Sequence, residues 1–317
     1  MGPINTRREI SKRRLLGLVS VMVSLGLVGW LVWRLDRHRT LELIRNAHGK
    51  WLLAAAGLTF CLPFLATARW LGVLRAQPNA RLPYGTALRA VMVANALNSF
   101  LPSKAGDIAK AVYLRRRANF SMGLGTVILE RLVDLAVLGA LGVVGAMVSG
   151  VRWGLVADLT LLGAVIGAFG VVCLIPAGAR LPLPAKLARA VSEGAGVFHA
   201  WLAEPSAVAM VLTASLIHWS LNGLIVCSLV SAVGAGVAWG YCFSVYPLAL
   251  LAGLVPATIG GIGTRDAAFV ALLSGSLPRE EATLVSLGYT VFAYWLLSLI
   301  SFPVAAGELL RLRSRQP

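Results

Sequence analysis

Glu130, Arg131 and Asp134 stand inside an apolar run, 122–149, that is otherwise long enough to cross a bilayer. A charge at the middle of a membrane helix costs roughly 2.5–3.5 kcal/mol on insertion scales, so it is normally paired and used. Glu130 and Asp134 have i,i+4 spacing and share a helix face, and Arg131 and Asp134 have i,i+3 spacing. Two readings fit: an intramembrane polar relay, or a self-neutralising cluster that pins this helix to a neighbour. Both require the carboxylates to face protein or a cavity. Both also expect Arg131 or a basic residue from another helix within ~4 Å of one of them.

A second chemical signal is the turn Gly260-Gly261-Ile262-Gly263-Thr264-Arg265-Asp266. Successive backbone N–H groups at a helix start hold anions, and Arg265 adds a positive charge. No GK[ST] follows any glycine loop, so the chain carries no Walker A element and ATP hydrolysis is unsupported. No HExxH or Ser/His/Asp arrangement appears, so no catalytic residue, metal or cofactor is expected. Cys61, Cys173, Cys227 and Cys242 lie in apolar runs without metal-site spacing and read as small buried hydrophobes. His218, with Ser215 and Asn222 one turn to either side, forms a polar stripe that reads as interhelical glue before it reads as a path. Gly139, Gly142 and Gly145, and Gly163, Gly167 and Gly170, read as faces for close helix packing.

These residues need a membrane scaffold. Hydrophobic residues make up 58% of the chain and charged ones 13%, about half the charged share of a soluble domain. The mean hydropathy is +0.78. The apolar runs are continuous rather than alternating, which argues against a β-barrel. Fold class is therefore all-α: a polytopic integral membrane helix bundle of about seven to eight spans, since each needs about 20 apolar residues. Clear spans are 15–33, 51–70, 122–149, 155–176, 207–232, 237–257 and 284–306. The net charge of +16 is spread between these runs and at both termini, where it orients spans and attracts anionic lipid rather than nucleic acid. A basic segment, 1–14, precedes the first span and is expected in the cytoplasm of a cell inner membrane, as is the tail 307–317. Residues 15–306 read as one membrane domain with halves 51–176 and 207–306 joined by a Pro-broken linker, 178–206. The basic stretch 34–50 reads as an interfacial helix whose side of the membrane contradicts the charge rule.

Two segments, 85–101 and 265–277, fit no full span. Each adjoins a Pro/Gly turn: Pro102 and Gly106 in the first, Pro256 and Gly260–Gly261 in the second. In each, an apolar residue precedes proline, a small-residue turn follows, and an acid (Asp107 or Asp266) opens a new helix. Such paired interruptions mark broken or re-entrant helices, buried or facing a cavity, in an inverted-repeat transporter.

The run LNSFLPSKAGDIAKAVYLRRR, then LERLVDLAVL, and later PATIGGIGTRDAAFVALL, resembles the lysylphosphatidylglycerol synthase transmembrane-region family, also called flippase-like domain proteins, over roughly 50–305. Pro102, Gly106, Asp107, Glu130, Arg131, Asp134, Pro256, Gly260, Gly261, Gly263, Arg265 and Asp266 match its pattern, with Asp266 where the family more often has Glu. The resemblance implies handling of aminoacyl-phosphatidylglycerol, hopanoid or polyprenyl-linked lipids. It does not imply aminoacyl transfer, because the soluble domain that performs it is not seen after the last span. On this basis Lys104, Arg265 and the Gly260–Gly263 backbone are expected on a lipid phosphate, with Gly106, Asp107 and Asp266 around it and Glu130–Arg131–Asp134 as the relay. The expected partners are membrane lipids. The other roles open to such a chain are a non-transporting partner of a lipid- or glycan-modifying enzyme, and a membrane-embedded glycosyltransferase.

Overall fold

The computed structural model describes residues 4–101, 105–115, 118–176, 182, 184–255 and 257–313, with side chains from Val19 onward except at 185, 186, 309, 312 and 313. Pro102, Lys104 and Pro256 lie outside the described residues. What is described is all-helical. α1 (Ile4–Trp33) begins within the basic N-terminal segment, and α2 (Arg37–Arg45) turns 91° away from its apolar part. Asp36 caps α2 by accepting from the Arg39 amide at 3.1 Å. The basic 34–50 stretch is thus a short amphipathic helix lying across the direction of α1.

Among the described residues, five helices are long and apolar enough to cross a membrane. They are α3 (Gly49–Arg75), α6 (Phe120–Ser149), α7 (Arg152–Cys173), α9 (Pro205–Ala232) and the continuous helix Arg279–Glu308. The last is α12 (Arg279–Thr290), a π-helical stretch (Val291–Leu296) and α13 (Leu297–Arg313). The bent α1–α2 pair makes a sixth if it is one span. The expected full span over 237–257 is not among them. Its helix, α10 (Trp239–Ala252), has 14 residues. At 1.5 Å per residue that is about 21 Å, short of a ~30 Å core. The expected linker 178–206 is for most of its length α8 (Ala185–Leu202), an amphipathic helix. It buries Ala195, Val197, Phe198 and Trp201, and Phe198 and Trp201 pack on Phe169 of α7.

Both segments that fit no span are short helices. α4 (Tyr84–Asn98) stops before the Pro102 region, and a 3₁₀ turn (Ala105–Asp107) leads into α5 (Ile108–Leu114). α10 stops at Ala252 and α11 (Thr264–Leu273) starts beyond the glycine turn. The two breaks meet: a Cβ built on Gly260 would lie 3.2 Å from the Asn98 carbonyl oxygen.

The packing repeats. α3 and α9 form the largest helix–helix contact, at the centre. α6 packs on α10 as α13 packs on α4, and α5 packs on α6 as α11 packs on α12. Exchanging α3, α4, α5 and α6 for α9, α10, α11 and α12–α13 therefore reproduces the pattern, which is the behaviour of a duplicated unit. The glycines of α6 serve this packing, with Gly139 against Leu162 of α7 and Gly145 against α10. Gly163, Gly167 and Gly170 of α7 meet nothing within 4 Å, contrary to expectation. Their row faces away from the described protein, because α7 packs on α6 through its other side. Leu53, Met147, Val156, Leu216 and Leu299 are likewise exposed. On a soluble protein so many outward apolar groups would be a liability; on a membrane bundle they meet acyl chains.

Candidate functional site

α6 delivers Glu130, Arg131 and Asp134 to its contacts with α3, α5 and α9. Arg69 of α3 reaches across with Nη2 2.7 Å from Glu130 Oε1 and Nη1 2.6 Å from Asp134 Oδ1. Lys110 of α5 donates to Glu130 Oε2 at 2.8 Å and lies 3.8 Å from Asp107. Arg131 closes the circuit, pairing with Asp107 and, at 3.4 Å, with Asp134. The result is a ring in which every neighbour has the opposite sign: Lys110, Glu130, Arg69, Asp134, Arg131, Asp107. Its formal charge is zero.

Neutrality alone does not hold such a ring in a membrane, because each ion must also replace its lost water. The remaining hydrogen bonds do this. Trp219 Nε1 of α9 donates to Asp134 at 2.8 Å, and Asn98 donates to Asp107 at 3.2 Å. Ser215 adds a longer contact to Asp134. Asp107 is held by the tight break before α5: a Cβ on Gly106 would sit 2.6 Å from both the Ala94 carbonyl oxygen and the Asn98 nitrogen, so only glycine lets the turn fold back on α4.

Arg131 is the ring member that differs. Its side chain is 28% exposed, against at most 5% for the other five. Its Nε completes no hydrogen bond among the described residues. It borders a polar cavity of ≈ 70 Å³ between the halves, which Arg69, Lys110, Asp107, Asn98, His218 and Tyr294 also line. On the other side of Arg131, Trp219 and Tyr294 lies a pocket of ≈ 230 Å³ with a largely apolar wall, including Leu135, Leu138, Leu250, Leu254 and Gly260. The α9 stripe is both glue and lining: Asn222 accepts from Tyr289 at 2.9 Å, and His218 and Asn222 face the polar cavity.

The glycine turn is closed rather than open. Gly260, Gly261 and Gly263 take φ of 58°, 75° and 99°, a region that disfavours side chains. Of the Gly260–Gly263 backbone expected to hold an anion, the Gly263 N–H donates instead to Asp266 Oδ2 at 2.8 Å. Arg265 is fully buried, with Nη2 contacting Asp266 and Thr290, while the Tyr294 ring stacks on its guanidinium at 3.8 Å. Its Nε and Nη1 complete no hydrogen bond among the described residues. So of the residues expected on the lipid head group, Asp107 borders the polar cavity and Gly260 the apolar pocket. Gly106, Gly261, Gly263, Arg265 and Asp266 are packed away in this conformation, because Asp266 supplies the anion the turn was expected to bind.

The two breaks correspond in the spacing of their acids and partners. Asp107 is bonded to Arg131, 24 positions later, and Asp266 to Thr290, also 24 positions later. The first half carries charge where the second carries a hydroxyl. Arg69 and Lys110 were missed in the sequence because Arg69 stands at the very end of the apolar run 51–70 and Lys110 lies between runs, where basic residues were read as orienting spans. For Arg69 the signal was available: Trp70-Leu71-Gly72-Val73-Leu74 continues the apolar pattern past it, and α3 runs on to Arg75.

The family described as lysylphosphatidylglycerol synthase TM region matches residues 17–301, a stretch that contains both breaks and the whole ring. No curated protein matches the chain.

Proposed function

The chain belongs to the lysylphosphatidylglycerol synthase TM-region family, and on that footing we propose that it binds a lipid with an anionic, phosphate-bearing head group in the bundle and carries it between leaflets of the plasma membrane. The observation that carries this reading is the pair of cavities flanking Arg131, Trp219 and Tyr294, one polar and one apolar. A lipid needs both surfaces side by side. Arg131 is the phosphate contact: it is the most exposed cation of the ring and has a donor to spare. Asp107, its ring neighbour, supplies the opposite charge that an aminoacylated head group would meet. At ≈ 70 Å³ the polar cavity holds a few waters but no whole head group, so the described conformation is the closed one and loading requires the halves to part. Arg265 is the second phosphate contact of the cycle, reached when Tyr294 lifts from its guanidinium.

The test is uptake and binding of head-group-labelled lipid by reconstituted vesicles, read beside thermal stability. A guanidinium–phosphate pair is bidentate and charge-assisted. Arg131→Ala is expected to weaken binding roughly tenfold to a hundredfold, the equivalent of about 1.5–3 kcal/mol. Arg131→Lys restores part of it, since a point charge lacks the planar fork. Unchanged binding in a folded Arg131→Ala removes the assignment. Tight binding without any transport in the wild type would instead favour the role of a non-transporting partner of a lipid-modifying enzyme.

A further inference from the structure

Asp158 is a fully buried carboxylate in a membrane-spanning helix that takes no part in the ring. It lies in the second turn of α7 and points into the interface with α6 and α10. Gly142 of α6 is pressed against its carboxylate so closely that a Cβ there would overlap it. From α10 the facing polar group is Ser244, also fully buried, whose Oγ in turn packs on Gly154 of α7. The Ser244 hydroxyl faces the Asp158 carboxyl without completing a well-formed hydrogen bond to it, and no other donor among the described residues reaches either oxygen.

The contrast with the ring is instructive. Asp107, Glu130 and Asp134 each have a cation within 4 Å. No ion pair among the described residues includes Asp158. The nearest charged group on α6 is Asp134, about two turns from Gly142 and already held by Arg69 and Trp219. α10 brings Ser244 and, further on, the phenol of Tyr246, which donates to the Trp219 carbonyl oxygen at 2.8 Å. On α7 itself the nearest charge is Arg152, more than a turn away at the helix start. An ionised carboxylate with no cation beside it is among the most costly groups a membrane interior can hold. Something must cancel the charge. A hard metal cation takes six or more oxygens, and the facing glycines leave three side-chain oxygens here. A proton needs one.

We propose that Asp158 is a proton-binding site, its carboxyl group taking up H⁺ from solvent as α7 seats on α6 and α10 and returning it when they part. One O–H bond forms on seating and the same bond breaks on release, with water as donor and acceptor. Because one proton is exchanged, the ratio of seated to parted molecules changes up to tenfold per pH unit, favouring the seated state toward acid. The site lies apart from both cavities, so it stands or falls independently of the lipid reading.

The experiment uses the full chain in lipid nanodiscs. In infrared difference spectra between the wild type and Asp158→Asn at neutral pH, the protonated-carboxyl stretch belongs to the wild type alone. The thermal midpoint of the wild type falls as pH rises from mildly acid to mildly alkaline, and Asp158→Asn, isosteric and uncharged, loses that part of the slope. Equal carboxyl bands in the two proteins, or equal slopes, overturn the proposal. If Asp158→Asn does not fold, Ser244→Ala decides: the hydroxyl that faces the acid favours its ionised form, so without it the protonated-carboxyl band must persist to higher pH than in the wild type, and a band that is absent, or lost at the same or lower pH, overturns the proposal.

Discussion

Arg69 holds Glu130 at 2.7 Å and Asp134 at 2.6 Å while itself buried, and these two short contacts make it the residue on which the ring depends most. Replacing it by alanine leaves Glu130 with Lys110 alone and Asp134 with Arg131 and two neutral donors. Breaking a buried pair by removing one partner costs about 3–5 kcal/mol, because the orphaned charge stays buried. Arg69→Ala is therefore expected to lose that much stability, measured by denaturant titration in detergent. Arg131→Ala is expected to lose clearly less: Asp107 keeps Lys110 and Asn98, Asp134 keeps Arg69 and Trp219, and Arg131 is already part-exposed. If the two variants are equally stable, the ring is no clasp. The α6 acids were legible because a charge inside an apolar run has no innocent explanation. Their partners were not, since Lys110 belongs to a helix of seven residues that no periodicity announces.

At the scale of the element, glycines separate contact from exposure. Gly142 abuts Asp158 and Gly145 abuts α10, whereas Gly163 and Gly167 face open space. Gly142→Leu is expected to pry α7 from α6 and lower the thermal midpoint by many degrees. Gly167→Leu should be close to neutral, or slightly stabilising, because leucine is the better helix former. A row of glycines reads the same in sequence whether it meets a helix or lipid, and only the packing separates the two cases. The half-helices, by contrast, were legible from their Pro/Gly turns. The span read over 237–257 was not, because α10 and the break beyond it form one unbroken apolar run. The π-helical stretch Val291–Leu296 left no mark in the sequence either. It carries Tyr294, which covers Arg265 and borders both cavities. Such bulges gather at functional sites. Tyr294→Phe keeps the ring over the cation and should leave transport near normal. Tyr294→Ala uncovers Arg265 and should alter transport with little change in fold, as measured by uptake beside circular dichroism.

For the whole molecule, the paired turns implied two related halves, and the helix contacts made within α3–α6 recur among α9–α13. What the sequence could not give was their meeting place. The breaks touch at Asn98 and Gly260, and the halves are joined again where Ser99, just beyond α4, and Ser298 of α13 share a hydrogen bond at the edge of the polar cavity. If loading a lipid requires the halves to part, this seam must open. Ser99→Cys with Ser298→Cys places two thiols where the hydroxyls now meet. The chain's own cysteines must first be replaced by alanine; among them Cys227 and Cys242 are buried and Cys61 is exposed. Oxidation of the pair should abolish lipid transport, and a reductant should restore it. Each single-cysteine variant should transport in both conditions. Normal transport by the fully cross-linked protein would mean that lipid passes without the halves separating, along an outer face of the bundle, and the closed cavity would then have no part in the route.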